Sequence, residues 1–309
     1  MPDTFFTEPP HWRWLIALYF FIGGIAGGCF FLAALLQLFG RPGDRAIVRI
    51  GYYVAMIGVA ISGILLIVDL GRPDRFWHMM IQNKTGRPMF KYWAPMSVGV
   101  WGLLIFGVAT FLATLGALYE DGKVPWRLAS AFMRGPWSIV IDVIGGLGGF
   151  FLAGYTGVLL SVTNRPVWAD SSWLGVLYLL SAASCAAAVL ILVARRRRLS
   201  DGTSVRELER FDKYILALEL IVLIVFVISL GSAGRAFLNA WGAVLVLVVL
   251  GGILAPMLIG FGRVAHFRGR PLTAGTAAAL VLLGGFMLRI TTIFPSEQVR
   301  VVGTRVTRP

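Results

Sequence analysis

The segment 69–80, DLGRPDRFWHMM, brings ionisable and aromatic side chains into a chain that is otherwise strongly apolar. Asp69 carries a carboxylate and His78 an imidazole, and both groups can accept and release protons. Charged side chains are costly inside a bilayer, so such a segment is expected at a membrane surface beside a site. The other interpretation is a simple turn at "GRP", in which glycine and proline only reverse the chain.

The composition identifies a membrane protein. Of 309 residues, 58% are hydrophobic and only 14% are charged, whereas a soluble domain carries about 25% charged residues. A helix of about 20 apolar residues crosses the hydrocarbon layer, and runs of this kind predict an all-α polytopic membrane protein with eight transmembrane helices. We expect a single membrane domain, 1–309, built from two four-helix bundles. The predicted helices are 13–39, 46–70, 97–119, 137–163, 172–194, 213–231, 237–262 and 272–293.

The basic residues of the loops predict the orientation. Loops 1–2, 3–4, 5–6 and 7–8 contain more Lys and Arg than the termini and the remaining loops, so the positive-inside rule places these four loops in the cytoplasm. Both termini are then predicted to be periplasmic. The net charge of +13 does not indicate nucleic acid, because its densest run, ARRRRL at 194–199, serves as a topology signal. Anionic membrane lipid is the expected partner of that run.

No metal or haem is expected in this chain. Cys29 and Cys185 stand alone in separate predicted helices, and the three histidines all lie outside the helices. Iron–sulfur clusters and zinc sites require several clustered ligands, and a haem held between helices requires buried axial ligands. An electron-transfer role would therefore depend on a diffusible carrier and on a partner.

Several charged side chains fall within the predicted helices, where each one needs a partner or a wet cavity. Arg49, Asp142 and Glu219 are expected near the cytoplasmic side. They form either a buried ion-pair cluster or the entrance of a proton path that Arg289 completes on the other side. Asp69, Arg289 and Tyr155 are expected at one periplasmic depth, because Tyr155 lies about 20 Å beyond Asp142 along helix 4.

Four stretches carry a resemblance to known proteins: DLGRPDRFWHMM, GRPMFKYWAPMSVGVW (86–101), GYTGVLLS (154–161) and WRWLIALYFFIGGIAGG (12–28). Together they resemble the NrfD/PsrC family of membrane subunits. Helices 5–8 resemble that family in number, length and placement. The resemblance implies a quinone-binding membrane anchor of a respiratory oxidoreductase in a bacterial inner membrane, with menaquinone or ubiquinone as the ligand. It also implies a periplasmic iron–sulfur (ferredoxin-like) subunit and a molybdopterin catalytic subunit as partners.

A quinol site needs hydrogen-bonding groups at both ring oxygens and a proton acceptor, because quinol oxidation releases two electrons and two protons. Tyr155 is the candidate donor to one oxygen, and Asp69 and His78 are the acid–base candidates. These three residues are the catalytic candidates.

Three further residues complete the predicted quinone site. Arg72 is expected to hold Asp69 or the loop in place. Trp77 either covers the ring or belongs to the interfacial aromatic belt. Tyr19 lies on helix 1, where some family members place a histidine. The quinone-binding candidates are therefore Tyr19, Asp69, Arg72, Trp77, His78 and Tyr155.

Two other functions remain open from the sequence. Glycine-rich helices, buried charges and the similarity of IGGIAGGCFFLAA (22–34) to IGGLGGFFLAGY (144–155) are also typical of a secondary transporter. A purely structural membrane anchor is the other alternative.

Overall fold

The computed structural model describes residues 14–197, 199, 203–260, 266–267, 270–271 and 273–298. Within that part of the chain, seven helices are each long and apolar enough to cross a membrane. An eighth span is formed if the sixth helix is counted together with Gly231–Phe237, into which it bends by 110°. The prediction of an all-α polytopic membrane protein is confirmed. The long helices are α1 (Trp14–Phe39), α2 (Arg45–Asp69), α3 (Pro95–Glu120), α4 (Pro136–Ser161), α5 (Leu174–Arg196), α6 (Thr203–Ser229), α7 (Ala240–Gly260) and α8 (Ala274–Ile293).

Smaller elements join these helices. Two-residue strands, His266–Phe267 and Arg270–Pro271, pair antiparallel between α7 and α8. A short helix, α9 (Pro295–Gln298), follows α8. The middle of α7, Val248–Leu254, is a π-helix, so its hydrogen bonds run over one residue more than in the α-helical turns on either side.

The long helices pack as two four-helix bundles. In the first bundle, α1 packs on α2 and α4, and α3 packs on α4; in the second, α5 packs on α6 and α8, and α7 packs on α8. Contacts of α1 and α4 with α5 join the bundles. Small residues allow the closest approaches: a side chain at Gly27 of α1 would overlap the carbonyl of Gly149 in α4.

We call the surface where α2 ends the Asp69 end, and the surface where α2 begins the Arg45 end. The connection from α2 to α3 covers the first bundle at the Asp69 end. It contains a 3-10 helix, Pro73–Met79, and a bridge between Ile81 and Pro88. Gly71 has a φ of +66°, a conformation that strains residues with a side chain, so glycine is required for this chain reversal.

The prediction for the start of helix 6 was wrong. The helix begins at Thr203 rather than at residue 213, and the connection from α5 is correspondingly short. The added turns carry charged residues that hydropathy does not recognise as part of a span, yet glutamate, arginine and lysine are good helix formers. Arg195 on α5 pairs with Glu209 on this extension at 2.8 Å.

Candidate functional site

A cavity of about 550 Å³ lies in the first bundle and extends to the Asp69 end. Residues from all four of its helices line the cavity, and the 3-10 helix contributes part of the wall. Three predicted site residues are among them: Tyr19 from α1, Asp69 from the end of α2 and Tyr155 from α4. Asp69 is half-buried. The rest of the wall is almost wholly apolar.

Tyr155 is held in place by its neighbours. Its hydroxyl donates a hydrogen bond to the carbonyl oxygen of Pro95 at 2.6 Å, and its ring stacks on Phe151 with centroids 5.1 Å apart. Gly99 on α3 leaves room for the phenol, because any side chain there would overlap the hydroxyl. The hydroxyl oxygen therefore keeps a lone pair for a donor that enters the cavity.

Tyr19 and a serine that the sequence analysis missed lie together on the α1–α2 side. A side chain at Gly23 would come within 3.4 Å of both the Ser62 hydroxyl and the Tyr19 ring. Ser62 is fully buried, and its hydroxyl has no hydrogen-bond partner among the described residues. The only sequence signal for Ser62 is a hydroxyl in the apolar run VAISGILL (59–66).

The 3-10 helix explains why the remaining predicted residues do not line the cavity. With three residues per turn, Phe76 and Met79 share one face, and this face lines the cavity. Trp77 and His78 lie on other faces, with ring centroids 3.8 Å apart. We expected Trp77 and His78 in the site and did not predict Phe76 and Met79, because the period of three was not recognised in the sequence.

His78 and Arg72 also differ from each other in burial. The Nε2 atom of His78 is buried and has no hydrogen-bond partner among the described residues, although the residue as a whole is half-buried. Arg72 is exposed to solvent and is not part of the cavity wall. His78 thus remains close to the site through its neighbours Phe76, Met79 and Met80, and Arg72 belongs to the outer surface.

Comparison with known proteins agrees with this architecture. The family described as "Polysulphide reductase, NrfD" matches residues 3–301. The chain belongs to this family. It is 28% identical over 320 residues to Protein NrfD of Escherichia coli (strain K12), and the match spans 96% of this protein and 98% of the relative. The resemblance found in the sequence is therefore confirmed, and this NrfD-family protein is a multi-pass membrane protein.

Two further relatives are named as parts of reductases. One chain of the polysulfide reductase of Wolinella succinogenes is 27% identical over 186 residues, which is 56% of this protein and 55% of the relative. One subunit of the selenate reductase of Mesobacillus selenatarsenatis is 24% identical over 78 residues, which is 25% of this protein and 18% of the relative.

The charged residues expected to form one cytoplasmic cluster are separated in this NrfD-family protein. Asp142 on α4 is buried and accepts hydrogen bonds from Tyr52 at 2.6 Å and Ser138 at 3.0 Å. Arg49 on α2 pairs with Asp121 at 3.1 Å, at the Arg45 end. Glu219 lies in the other bundle. Sequence position gives the depth of a residue along its helix but not the face it occupies, so the predicted grouping was wrong.

Glu219 and Arg289 instead share the interior of the second bundle. Both side chains are buried, and they interact electrostatically. Arg289 donates to the Ser181 hydroxyl at 3.2 Å, and Ser181 is also a hydrogen-bonding neighbour of Glu219. The Nε of Arg289 donates to the carbonyl of Phe20 on α1 at 3.3 Å. Arg289 was expected beside Asp69 and is not in the cavity wall, but Phe20 is.

The described residues contain no group of three or more His, Cys, Asp or Glu side chains that could hold a metal ion. Cys29 and Cys185 are buried, free thiols on α1 and α5. The Cys29 thiol donates to the carbonyl of Ala186 at 3.7 Å, a contact typical of a small packing residue. The cavity of the first bundle has the volume to accept a ligand.

Proposed function

We propose that this protein is the membrane subunit of a respiratory oxidoreductase and that the cavity of its first bundle binds a quinone. Membership of the NrfD family supports the first part. The relatives that are named as parts of a polysulfide reductase and of a selenate reductase support a role within a larger complex.

The observation that carries the quinone proposal is an apolar cavity with three oxygen-bearing side chains at one end. Ligand pockets commonly have volumes of about 300–1,000 Å³, with mostly apolar walls and few polar groups, and this cavity of about 550 Å³ fits that description. The apolar wall suits an isoprenoid tail and a flat ring. Tyr19, Asp69 and Tyr155 suit the ring oxygens. The ligand is a menaquinone or a ubiquinone.

Each of these side chains has a distinct task in the proposed site. A bound quinol supplies two electrons and two protons. The Tyr155 oxygen accepts a hydrogen bond from one ring hydroxyl, while the Tyr155 hydroxyl donates its own proton to the carbonyl oxygen of Pro95. Tyr19 contacts the ring from α1. The Asp69 carboxylate accepts the two protons one after the other at the end of α2, and the two electrons go to the electron-carrying partner. His78, whose Nε2 has no hydrogen-bond partner among the described residues, passes each proton toward the surface.

The connection between α2 and α3 is the proposed docking surface for the electron-carrying partner. It lies directly over the cavity and presents exposed basic side chains. We infer that an iron–sulfur (ferredoxin-like) subunit docks here on the periplasmic side of a bacterial inner membrane, with a molybdopterin catalytic subunit beyond it. A cysteine placed at Lys84 should therefore react with a membrane-impermeant reagent from the periplasm. The basic side chains are Arg72, Arg75, Lys84, Arg87 and Lys91.

Purification from native membranes tests the function as a whole. A redox subunit should bring iron–sulfur absorbance and an extractable quinone with it, and a secondary transporter should copurify with neither. A structural anchor would bring the iron–sulfur partner without quinone. Recovery of the protein without partner or quinone would refute the proposal.

Replacement of Tyr155 by Phe tests the site. Tyr155→Phe removes one hydroxyl and its hydrogen bond, so quinol turnover by the complex should fall roughly tenfold to a thousandfold while assembly is unchanged. The matched control is Tyr53→Phe, which also removes one hydrogen bond, to Asp121 at 2.8 Å, but outside the cavity. Equal turnover in the two variants would exclude Tyr155 from the site.

We further propose that the second bundle conducts protons. Ser184 donates to Asp212 at 2.7 Å nearer the Arg45 end, and Glu219, Ser181 and Arg289 continue the polar interior toward the cavity. Arg49 and Asp142, which were candidates for this path, are assigned to contacts within the first bundle.

Proteoliposomes containing the whole complex test the proton path. Glu219→Gln should reduce the number of protons moved per quinol oxidised, because the amide cannot exchange a proton with its neighbours. Asp142→Asn should leave that number unchanged. Internal pH and quinol turnover are followed together, and the same proton number in parent and Glu219→Gln would contradict the path.

A further inference from the structure

The cavity in the first bundle is much longer than the part that holds Tyr19, Asp69 and Tyr155. On α2 its lining residues run from Asp69 to Met56, thirteen residues or about 20 Å of helix. On α3 they run from Met96 to Phe111, which is about 22 Å. The cavity therefore reaches from the Asp69 end deep into the membrane-spanning region.

The two halves of the cavity have different walls. Near the Asp69 end, residues of α1, α4 and the 3-10 helix close the cavity, in addition to α2 and α3. Among the described residues, those lining the deeper half all lie on α2 and α3. The deeper half is therefore a crevice between two helices, which we call the α2–α3 crevice. Its residues are Met56, Val59, Gly63, Leu103, Leu104, Gly107, Val108 and Phe111.

The α2–α3 crevice opens toward the surrounding bilayer. Leu104, Val108 and Phe111 lie four and three residues apart, on one face of α3. Each lines the cavity and is nevertheless about half exposed, at 43%, 53% and 49% respectively. A side chain that lines the cavity and is also exposed on the outside of a membrane-spanning helix lies where the cavity opens to lipid.

Glycines create the space in this crevice. Gly63 on α2 and Gly107 on α3 both line it, and a Cβ atom added at either position would meet no atom within 4 Å. By contrast, Gly27 and Gly149 bring two backbones into contact. Gly63 and Gly107 are therefore not needed for helix packing, and larger side chains at these positions would fill the crevice.

We infer that the α2–α3 crevice is the lateral entrance of the site and holds the first three isoprene units of the quinone tail, an inference that rests on the proposed function. One isoprene unit adds four chain bonds of about 1.5 Å, or about 5 Å of extended tail. Three units beyond a ring at Tyr155 therefore match the length of the cavity. The crevice is continuous with the polar end, and its lining has no charged side chain.

Leucine substitutions test the crevice against a matched control. Gly107→Leu should raise the KM of the purified complex at least tenfold for a naphthoquinol with three isoprene units. The KM for the corresponding tailless naphthoquinol should change less than twofold. The control is Gly251→Leu, because Gly251 also lines a membrane-facing groove and also has open space at its Cβ, but lies in the second bundle. That variant should leave both KM values within twofold of the parent.

The outcomes separate this inference from the proposed function. If the parent complex oxidises neither these naphthoquinols nor the corresponding ubiquinols, the proposed function fails. If the parent oxidises the tailed and the tailless quinol and Gly107→Leu behaves like Gly251→Leu, only the crevice is refuted. Equal increases in KM for the tailed and the tailless quinol in Gly107→Leu would also refute the inference.

A labelling experiment on the unaltered complex gives a second test that does not depend on the folding of a variant. A quinone with a photoreactive group on its second isoprene unit should label peptides containing 56–63 and 103–111. Labelling spread over the lipid-facing helices without preference for these peptides would overturn the inference.

Discussion

The two bundles differ in how they use buried polar atoms. In the first, Tyr19, Asp69 and Tyr155 face a cavity of about 550 Å³. In the second, Arg289, Ser181 and Glu219 face one another. The groove of the second bundle, about 260 Å³ between α7 and α8, has a lining without charged or hydroxyl-bearing side chains.

This difference shows what distinguishes a ligand site from an internal polar network in a membrane protein. A ligand needs polar atoms that face an open space. The buried polar side chains of the second bundle face one another instead, although the Nη2 atom of Arg289 has no hydrogen-bond partner among the described residues. The same small-residue packing serves both bundles, since Gly27 and Gly149 touch in the first and Gly252 and Gly284 touch in the second. The side chains, not the helix packing, therefore assign the different roles.

Removal of Arg289 should have the largest effect on the second bundle. Arg289→Met removes the positive charge that interacts with buried Glu219 and the hydrogen bond that the guanidinium donates to the Phe20 carbonyl, so the free energy of unfolding should fall by about 3–5 kcal/mol. Thermal unfolding of the purified protein in detergent measures the loss. Addition of Glu219→Gln to Arg289→Met should restore part of the lost stability. If the double variant is no more stable than Arg289→Met, the two side chains are not coupled.

Substitutions should distinguish the glycines at which two helix backbones touch from the glycines that line the cavity. Gly149→Val would push α4 away from the backbone of Gly27, and the free energy of unfolding should fall by about 3 kcal/mol. Gly63→Val, in open space on α2, is the control and should have a much smaller effect. Similar melting temperatures for the two variants would contradict the distinction between these glycines.

Loss of one hydrogen-bond donor to Asp142 should lower the stability less than Arg289→Met or Gly149→Val does. Tyr52→Phe leaves the buried carboxyl with the hydrogen bond from Ser138 among the described residues, and the expected destabilisation is about 1 kcal/mol. Quinol turnover should not change, because none of these three residues lines the cavity. Chemical denaturation and a turnover assay check the two statements, and a large loss of turnover would place Asp142 in the quinone chemistry.

The sequence was sufficient for the fold class and for part of the cavity wall. Apolar length predicts the spans, and the ends of the helices place Asp69 and Tyr155 at one depth. It could not predict which face of a helix a lone charge occupies, so Glu219 was grouped with Asp142. It also could not reveal Ser62 or Phe76. A single hydroxyl gives no periodic signal, and the period of the 3-10 helix covers too few residues to stand out.

The π-helical stretch Val248–Leu254 has a consequence for the design of variants in α7. Because a π turn contains one residue more than an α turn, residues after Leu254 are rotated by about 100° relative to a continuous α-helix. A helical wheel drawn through the whole of α7 therefore assigns the wrong lipid-facing positions to its last turns. Deletion of a single residue within the stretch is the change that would restore uniform α-helical phase, at the cost of the backbone contact between Gly252 and Gly284.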